Sequence, residues 1–290
     1  MTTVRPSLEV LATGPLALIQ DLGRPGLASV GVGRSGAADR ASFRLGARLL
    51  AQDDTAAAIE VTFGGLEVRA HRTVMLALTG APAPALVGRI RVAHLSPFVL
   101  HPGDVLRLGV PTAGLRSYLS VRGGIDVPAV LGSRSTDVLS GLGPAPLRAG
   151  DVLAVGPAPT AFPHVDVAPL RPLTNDPIAV RAAWGPRADW LAEPDLLGTT
   201  TWTVSSRSDR VGMRLEGEPL RRTDKRELPS EGMVRGAIQV PPGGEPVVFL
   251  ADHPVTGGYP VVAVVVDADV DRAAQVRPGQ SVRFRTVEAP

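Results

Sequence analysis

Carboxylates, hydroxyls and arginines gather in a few glycine-punctuated stretches of this sequence, and each stretch suggests its own chemistry. In FLADHPVTGGYPVVAVVV, from Phe249 to Val266, two apolar strand-like runs flank Asp252, His253, Thr256 and Tyr259. Asp252 stands where a strand ends and a carboxylate can meet a cleft, which makes it a general-base candidate. Thr256 and Tyr259 offer hydroxyls from a segment stiffened by Pro254 and Pro260, with Gly257 and Gly258 open to backbone angles that other residues avoid. A plain hairpin needs fewer residues, so this loop is expected to line the principal pocket with Asp252 and Tyr259 toward ligand. His253 is one position further along the strand and points to the opposite face, so it is not Asp252's proton partner.

Four further stretches carry candidates, each with a competing structural role. LPSEGMVRGAIQV places Glu231 before a glycine and Gln239 on the strand that follows; Glu231 is a second base candidate or simply a turn acid. In GRSGAADR, Ser35 supplies a hydroxyl, and Asp39 either meets a ligand or caps the helix that starts there. GSRSTD concentrates Arg134 and Ser135 on one turn, a donor set suited to a carboxylate, a phosphate or a cyclic amide carbonyl; the alternative is a turn held by its own side chains and an Arg134–Asp137 pair. Upstream, Arg24 is an anion clamp or a partner for Asp21. In SDRVGMRLEG, Arg210 and Arg214 lie four residues apart, so an extended strand would put both guanidinium groups on one face toward an anion, unless Asp209 and Glu216 neutralise them.

Composition excludes several mechanisms. Lys225 is the single lysine among 30 Lys+Arg, and its setting, RRTDKRELPS, matches no Walker loop, Schiff-base site or biotin-carrier hairpin. Anions therefore fall to arginine, whose planar fork binds them bidentately. There is no cysteine, and the five histidines show no metal-binding spacing, so no metal site is expected. The formal charge of +2 on 290 residues, with no basic stripe interleaved with aromatics, argues against nucleic acid. No signal peptide is evident at the start, and PVVAVVV is far too short to span a bilayer; the expected compartment is the cytoplasm, without membrane association.

The elements that must position these residues are short. With 32 Gly and 28 Pro between Val-, Leu- and Ile-rich runs, the chain reads as mainly β with a few short helices. The clearest helix runs from about Asp39 to Ala51, with Phe43, Ala47 and Leu50 on one face. One turn recurs in LHPGDVLRLG, LRAGDVLAVG and, more loosely, VRPGQSVRF, each time feeding a strand. A Pro-rich stretch, 156–177, reads as a linker between an N-terminal β-rich lobe, 1–155, and a C-terminal one, 178–290.

Taken together and in order, QDLGRPG, GVGRSGAADR, GGIDVPAVLGSRSTD, SDRVGMRLEG, LPSEGMVRGAIQVPPGGEPVVFLAD and TGGYP resemble the family of the C subunit of bacterial 5-oxoprolinase. This is also called allophanate hydrolase subunit 2 or the biotin-dependent carboxyltransferase subdomain family. The likeness spans Gln20 to Phe284. It implies two lobes similar to cyclophilin-like barrels, acting beside A-type and B-type partner proteins to open the cyclic amide 5-oxo-L-proline to L-glutamate with ATP. No nucleotide loop is recognisable, so the resemblance implies ATP at a boundary between proteins of the complex or largely on a partner, and no biotin attached to this chain. Relatives of this family imply two alternatives: a carboxyltransferase component served by a separate biotin carrier, and a non-catalytic antagonist of a kinase inhibitor. Many members read Asp-x-Gln-Thr-Thr-Gly-Gly-Tyr-Pro, where this chain has Pro254 and Val255, so any ligand contact made by that glutamine is absent here.

Overall fold

The computed structural model describes residues 6–170, 172–223 and 226–288. Lys225 lies outside them. The chain forms two compact units: the first comprises Met1–Arg24, Asp39–Asp137 and Gly141–Thr174, and the second Pro25–Ala38, Val138–Ser140 and Asn175–Pro290. The division is thus not one cut in the sequence, because two excursions from the N-terminal half belong to the second unit.

The first unit is built on two antiparallel sheets. One has the spatial order Val152–Ala154, Pro6–Thr13, Leu66–Ala70, Val105–Leu108, Ala85–Val87 and Ile90–Arg91. The other runs Leu16–Gln20, Ala58–Thr62, Arg116–Val121, Val74–Gly80 and Pro97–Leu100. Strict alternation shows in Leu66–Ala70, where Leu66, Val68 and Ala70 enter the core while Glu67 and Arg69 face outward and pair with Arg107 and Glu9. Strand Arg116–Val121 is buried along its whole length, because both of its faces are covered. Leu119 and Val121 join the core shared by the two sheets. Tyr118 and Ser120, of opposite parity, face the helix Arg40–Leu49, with the Tyr118 ring edge-on to Phe43 at 6.2 Å. The Pro-rich stretch contains no helix or strand among its described residues and is fastened to this unit: Ala168 packs with Leu49 and Leu50, and Arg122 donates to the Pro159 and Ala161 carbonyls.

The second unit is a closed seven-stranded barrel in the order Ile178–Trp184, Val261–Val265, Ala237–Gln239, Val247–Phe249, Gly212–Glu216, Trp202–Val204 and Ser281–Val287. Every pairing is antiparallel except the one that joins the first strand to the last, Ile178–Trp184 with Ser281–Val287, which is parallel. Inside lie Trp202, Leu215, Ile238, Val248, Val262 and Phe284, with the Trp202 indole N–H donating to the Leu197 carbonyl at 3.1 Å. Outside the barrel, Glu231–Gly232 and Thr256–Gly257 pair as a two-stranded ribbon.

The recurrent turn is one structure used three times. Gly103, Gly150 and Gly279 all have φ near +90° (91°, 94° and 82°), in the left-handed region that favours glycine. In each turn the following residue bonds backward: its side chain accepts from the amide three residues earlier, Asp104 from His101 at 2.7 Å, Asp151 from Arg148 at 2.8 Å and Gln280 from Arg277 at 3.1 Å. That side-chain acceptor explains why Asp or Gln follows the glycine in all three copies.

Candidate functional site

The Asp252 carboxylate sits in a closed clasp within the second unit. Arg210 donates to it through two nitrogens, Nε to Oδ2 at 2.8 Å and Nη2 to Oδ1 at 3.0 Å, and Ser35 donates its hydroxyl to Oδ1 at 2.6 Å. The Val138 amide adds a bond to Oδ2 at 3.1 Å, and Arg210 also donates to the Gly36 carbonyl at 2.6 Å. The side chains of Arg210 and Asp252 are 2% and 0% exposed. The expectation that Asp252 is a general base facing ligand is therefore corrected: four donors engage both oxygens, and no solvent reaches them. Ser35 likewise serves the clasp, with φ 54°, and is buried. The clasp fastens the excursions Pro25–Ala38 and Val138–Ser140 to the barrel; Ala38 packs with Ala251 and Ala274, and Arg235 donates to the Ala38 carbonyl at 2.8 Å.

Arg214 does not join Arg210. The strand begins only at Gly212, because Asp209 accepts from the amides of Val211 and Gly212 at 2.8 and 3.0 Å and turns the chain there. The two-residue period therefore does not extend back to Arg210, and Arg214 is exposed on the barrel wall.

In the first unit, GSRSTD makes a second closed cluster, around Asp21. Ser133 and Ser135 each donate a hydroxyl to Asp21 Oδ1 at 2.6 Å, and the Arg134 and Gly23 amides donate at 2.6 and 2.8 Å. Ser135 is fully buried, so it is part of this fastening and not a ligand donor. Arg134 directs its guanidinium to the Val127 carbonyl at 2.8 Å and to Asp126 at 3.3 Å, where the sequence suggested Asp137. Arg24, expected beside Asp21, donates instead to the Ser135 carbonyl at 2.6 Å. Asp39 is a helix cap, accepting from the Ser42 amide at 2.9 Å and its hydroxyl at 2.6 Å. Sequence reasoning missed the network beside it. The Asp39 amide donates to the Tyr118 hydroxyl at 2.8 Å, which in turn donates to Glu60 at 2.8 Å. Burial, then the nearby charges of Glu60 and Asp39, push the Tyr118 phenol well above its ordinary pKa.

The open site includes Gly258 and Tyr259 of the Thr-Gly-Gly-Tyr-Pro loop. Tyr259 is 45% exposed and lines a cleft of about 680 Å³ together with Arg221, Arg222, Arg226, Glu227, Pro242 and Gly258. Gln239, buried on its barrel strand, donates to the Tyr259 carbonyl at 2.8 Å and so positions the loop. Neither Gly257 nor Gly258 has φ in the left-handed region, which corrects the expectation about their backbone angles. Gly257 leaves room for the Gln239 amide: a Cβ there would lie 2.7 Å from Gln239 Nε2, and that side chain would have to shift. Thr256 is exposed and pairs through its backbone with Gly232. Glu231, on the same ribbon, is not a lone carboxylate, because Arg187 holds it through both Nε and Nη2; His253 bonds the Pro254 carbonyl at 2.8 Å. The cleft thus offers a phenol hydroxyl beside several guanidinium donors. Its arginines stand in RRTDKRELPS, where two adjacent arginines and a third four residues on were the available signal.

No helix among the described residues is long and apolar enough to cross a membrane. Residues 30–286 match the family model for the carboxyltransferase domain, subdomain A and B. The chain is 36% identical over 282 residues to the C subunit of 5-oxoprolinase from Escherichia coli, covering 96% of this chain and 90% of that protein. It is 32% identical over 311 residues to urea amidolyase of Lachancea kluyveri, covering 96% of this chain but 17% of that protein. Among solved structures, K. lactis urea amidolyase superposes with a TM-score of 0.92 at 31% identity, covering 98% of this chain and 19% of the other. With both units spanned by these matches, the chain belongs to the family of the carboxyltransferase domain, subdomain A and B.

Proposed function

We propose that this chain is the C-type component of an ATP-dependent 5-oxoprolinase, acting in the cytoplasm with A-type and B-type partner proteins to open 5-oxo-L-proline to L-glutamate. The observation that carries this reading is the extent of the match to the E. coli protein, which reaches 90% of its length, against 17% of urea amidolyase. The chemistry is consistent with a divided site. A lactam is planar and poorly electrophilic, and phosphorylation of its carbonyl oxygen makes attack by water feasible. The reaction then needs donors for developing oxyanion charge and a base for water. This chain supplies donors in the Tyr259 cleft, whereas its two base candidates are engaged, Asp252 by Arg210 and Glu231 by Arg187. The base accordingly belongs to a partner, and ATP is consumed at a boundary with a partner or on it. Reconstitution tests this: glutamate release and ATP hydrolysis should be negligible with the chain alone and appear when both partners are added. Robust turnover by the single chain would overturn the proposal.

A second reading, a carboxyltransferase component served by a separate biotin carrier, is favoured by the urea amidolyase likeness. A lactam and the ureido ring of biotin both present a ring amide. Carboxyl transfer that requires a biotinylated carrier and ignores the A-type partner would select it.

A further inference from the structure

The loop from Ile125 to Ser133 in the first unit ends in a tight turn whose tip residue works against the turn. Val130 and Ser133 exchange both backbone bonds, at 2.8 and 3.2 Å, so Leu131 and Gly132 are the two central residues. Their φ angles are 52° and 82°. Positive φ at both positions defines a type I′ turn, which selects Asn-Gly or Asp-Gly; leucine is strained there, because its Cβ crowds the following carbonyl. Among the described residues, the other non-glycine positions with positive φ, Ser35, Ala51, Phe63 and Leu95, are buried or partly buried, whereas Leu131 is 54% exposed. Asparagine would serve the turn better, and more than half of the leucine surface stays in water. Gly132 is just as open, since a Cβ there would meet no atom within 4 Å, and Pro128 and Ala129 are exposed beside it. The tip is thus a small apolar projection. Its base is held firmly: Ile125 lies in the core with Val127 packed against it, Arg134 donates to the Val127 carbonyl at 2.8 Å, and Asp21 fixes the Ser133 hydroxyl and the Arg134 amide. Strained residues persist only where their surroundings over-determine them, and they cluster at functional contacts.

We propose that Leu131 anchors a protein–protein contact, inserting into an apolar pocket of a protein partner in the complex. The inference rests on the reading of this chain as a C-type component. Shape decides the class of occupant: a small-molecule site is a cavity that surrounds its ligand, and this tip is convex, so it must itself enter a cavity. An aliphatic anchor on a rigid support suits that role, because a side chain already held in place loses little freedom on binding. The relatives supply the need for such a contact. In K. lactis urea amidolyase this fold is 19% of one polypeptide, whereas the match to the E. coli C subunit reaches 90% of that protein's length. Neighbours that the long chain carries by covalent linkage must be held by surface contact when they are separate chains.

Isothermal titration calorimetry of the chain with the A-type and the B-type protein, each added separately, tests this. Wild type is expected to bind one of them directly. Leu131→Asn should weaken that association at least tenfold while melting at the same or a higher temperature, because Asn-Gly relieves the turn. Leu131→Met, which keeps an apolar side chain of similar volume, should retain most of the affinity. Ile90→Asn, which removes an exposed apolar side chain from the end strand of the six-stranded sheet, should leave it unchanged. A leucine with a merely structural role cannot give unchanged or higher stability together with lost association. Wild-type binding to neither protein would defeat the complex reading and this inference together, whereas equal binding by Leu131→Asn and wild type would overturn this inference alone. A lower melting temperature of Leu131→Asn would also overturn it, by making Leu131 a packing residue of its own chain. So would a wild-type dimer, seen by light scattering, that Leu131→Asn abolishes with partner binding intact, since that assigns the tip to a second copy.

Discussion

Asp252 and Tyr259 stand seven residues apart in one loop of the second unit, yet their surroundings are opposite. At Asp252 a carboxylate meets a guanidinium, a hydroxyl and an amide, and the group is closed to water. At Tyr259, among the described residues, arginines share a cleft with one acid and a half-exposed phenol. The difference teaches that a motif's polar residues divide their labour. Those whose bonding capacity is filled inside the fold hold segments together, and those left facing a cavity are available for a ligand. Residue type alone does not separate the two, since both ends of the loop read as equally reactive in sequence.

The comparison breaks most decisively at the clasp. Replacing Asp252 by Asn leaves the buried Arg210 guanidinium without its counter-charge, a change that costs about 3–5 kcal/mol when a buried pair loses one partner. Denaturant unfolding should show that loss, and a variant with unchanged stability but no reconstituted activity would instead return Asp252 to catalysis. The buried network of the first unit should respond less. Tyr118→Phe removes the donor to Glu60 and the acceptor for the Asp39 amide, with an expected loss of about 1–3 kcal/mol in the same assay.

Arg134→Lys is a smaller perturbation. Its partly exposed pair with Asp126 contributes at most about 1 kcal/mol, so the midpoint should shift only slightly. At the cleft the expected stability change is the smallest. Tyr259→Phe should lie within about 0.5 kcal/mol of wild type while lowering the activity of the reconstituted complex. A large melting shift with full activity would make Tyr259 structural and erase the contrast. The same variant sharpens the assignment of Tyr118, which is then the single tyrosine of a chain that has two. Its folded pKa is raised, so the neutral phenol's contribution is fully present below the unfolded value of about 10 and is lost as pH rises toward the folded one. Ultraviolet titration should therefore show phenolate only as the protein unfolds in alkali; ionisation of the folded protein near the ordinary pKa would contradict the burial.

Much of this protein was legible in the order of its residues. Alternation and frequent Gly and Pro marked a mainly β chain, because a strand's two faces and a tight turn's backbone angles are local requirements. The Asp39 cap, the helix after it and the thrice-used Gly turn were readable for the same reason, since their bonds close within a few residues. Tertiary structure decided what lay beyond that reach. The parallel pairing of Ile178–Trp184 with Ser281–Val287 closes the barrel between strands far apart in the chain, and no local pattern encodes it. Asp252 is claimed by Ser35 from the opposite half of the sequence, and Asp21 by Ser133 and Ser135, so neither carboxylate could be known as saturated from its neighbours. The open cleft arises in the same way. Arg222 and Tyr259 meet only after the chain has folded, because a cavity is a property of packing and has no sequence of its own.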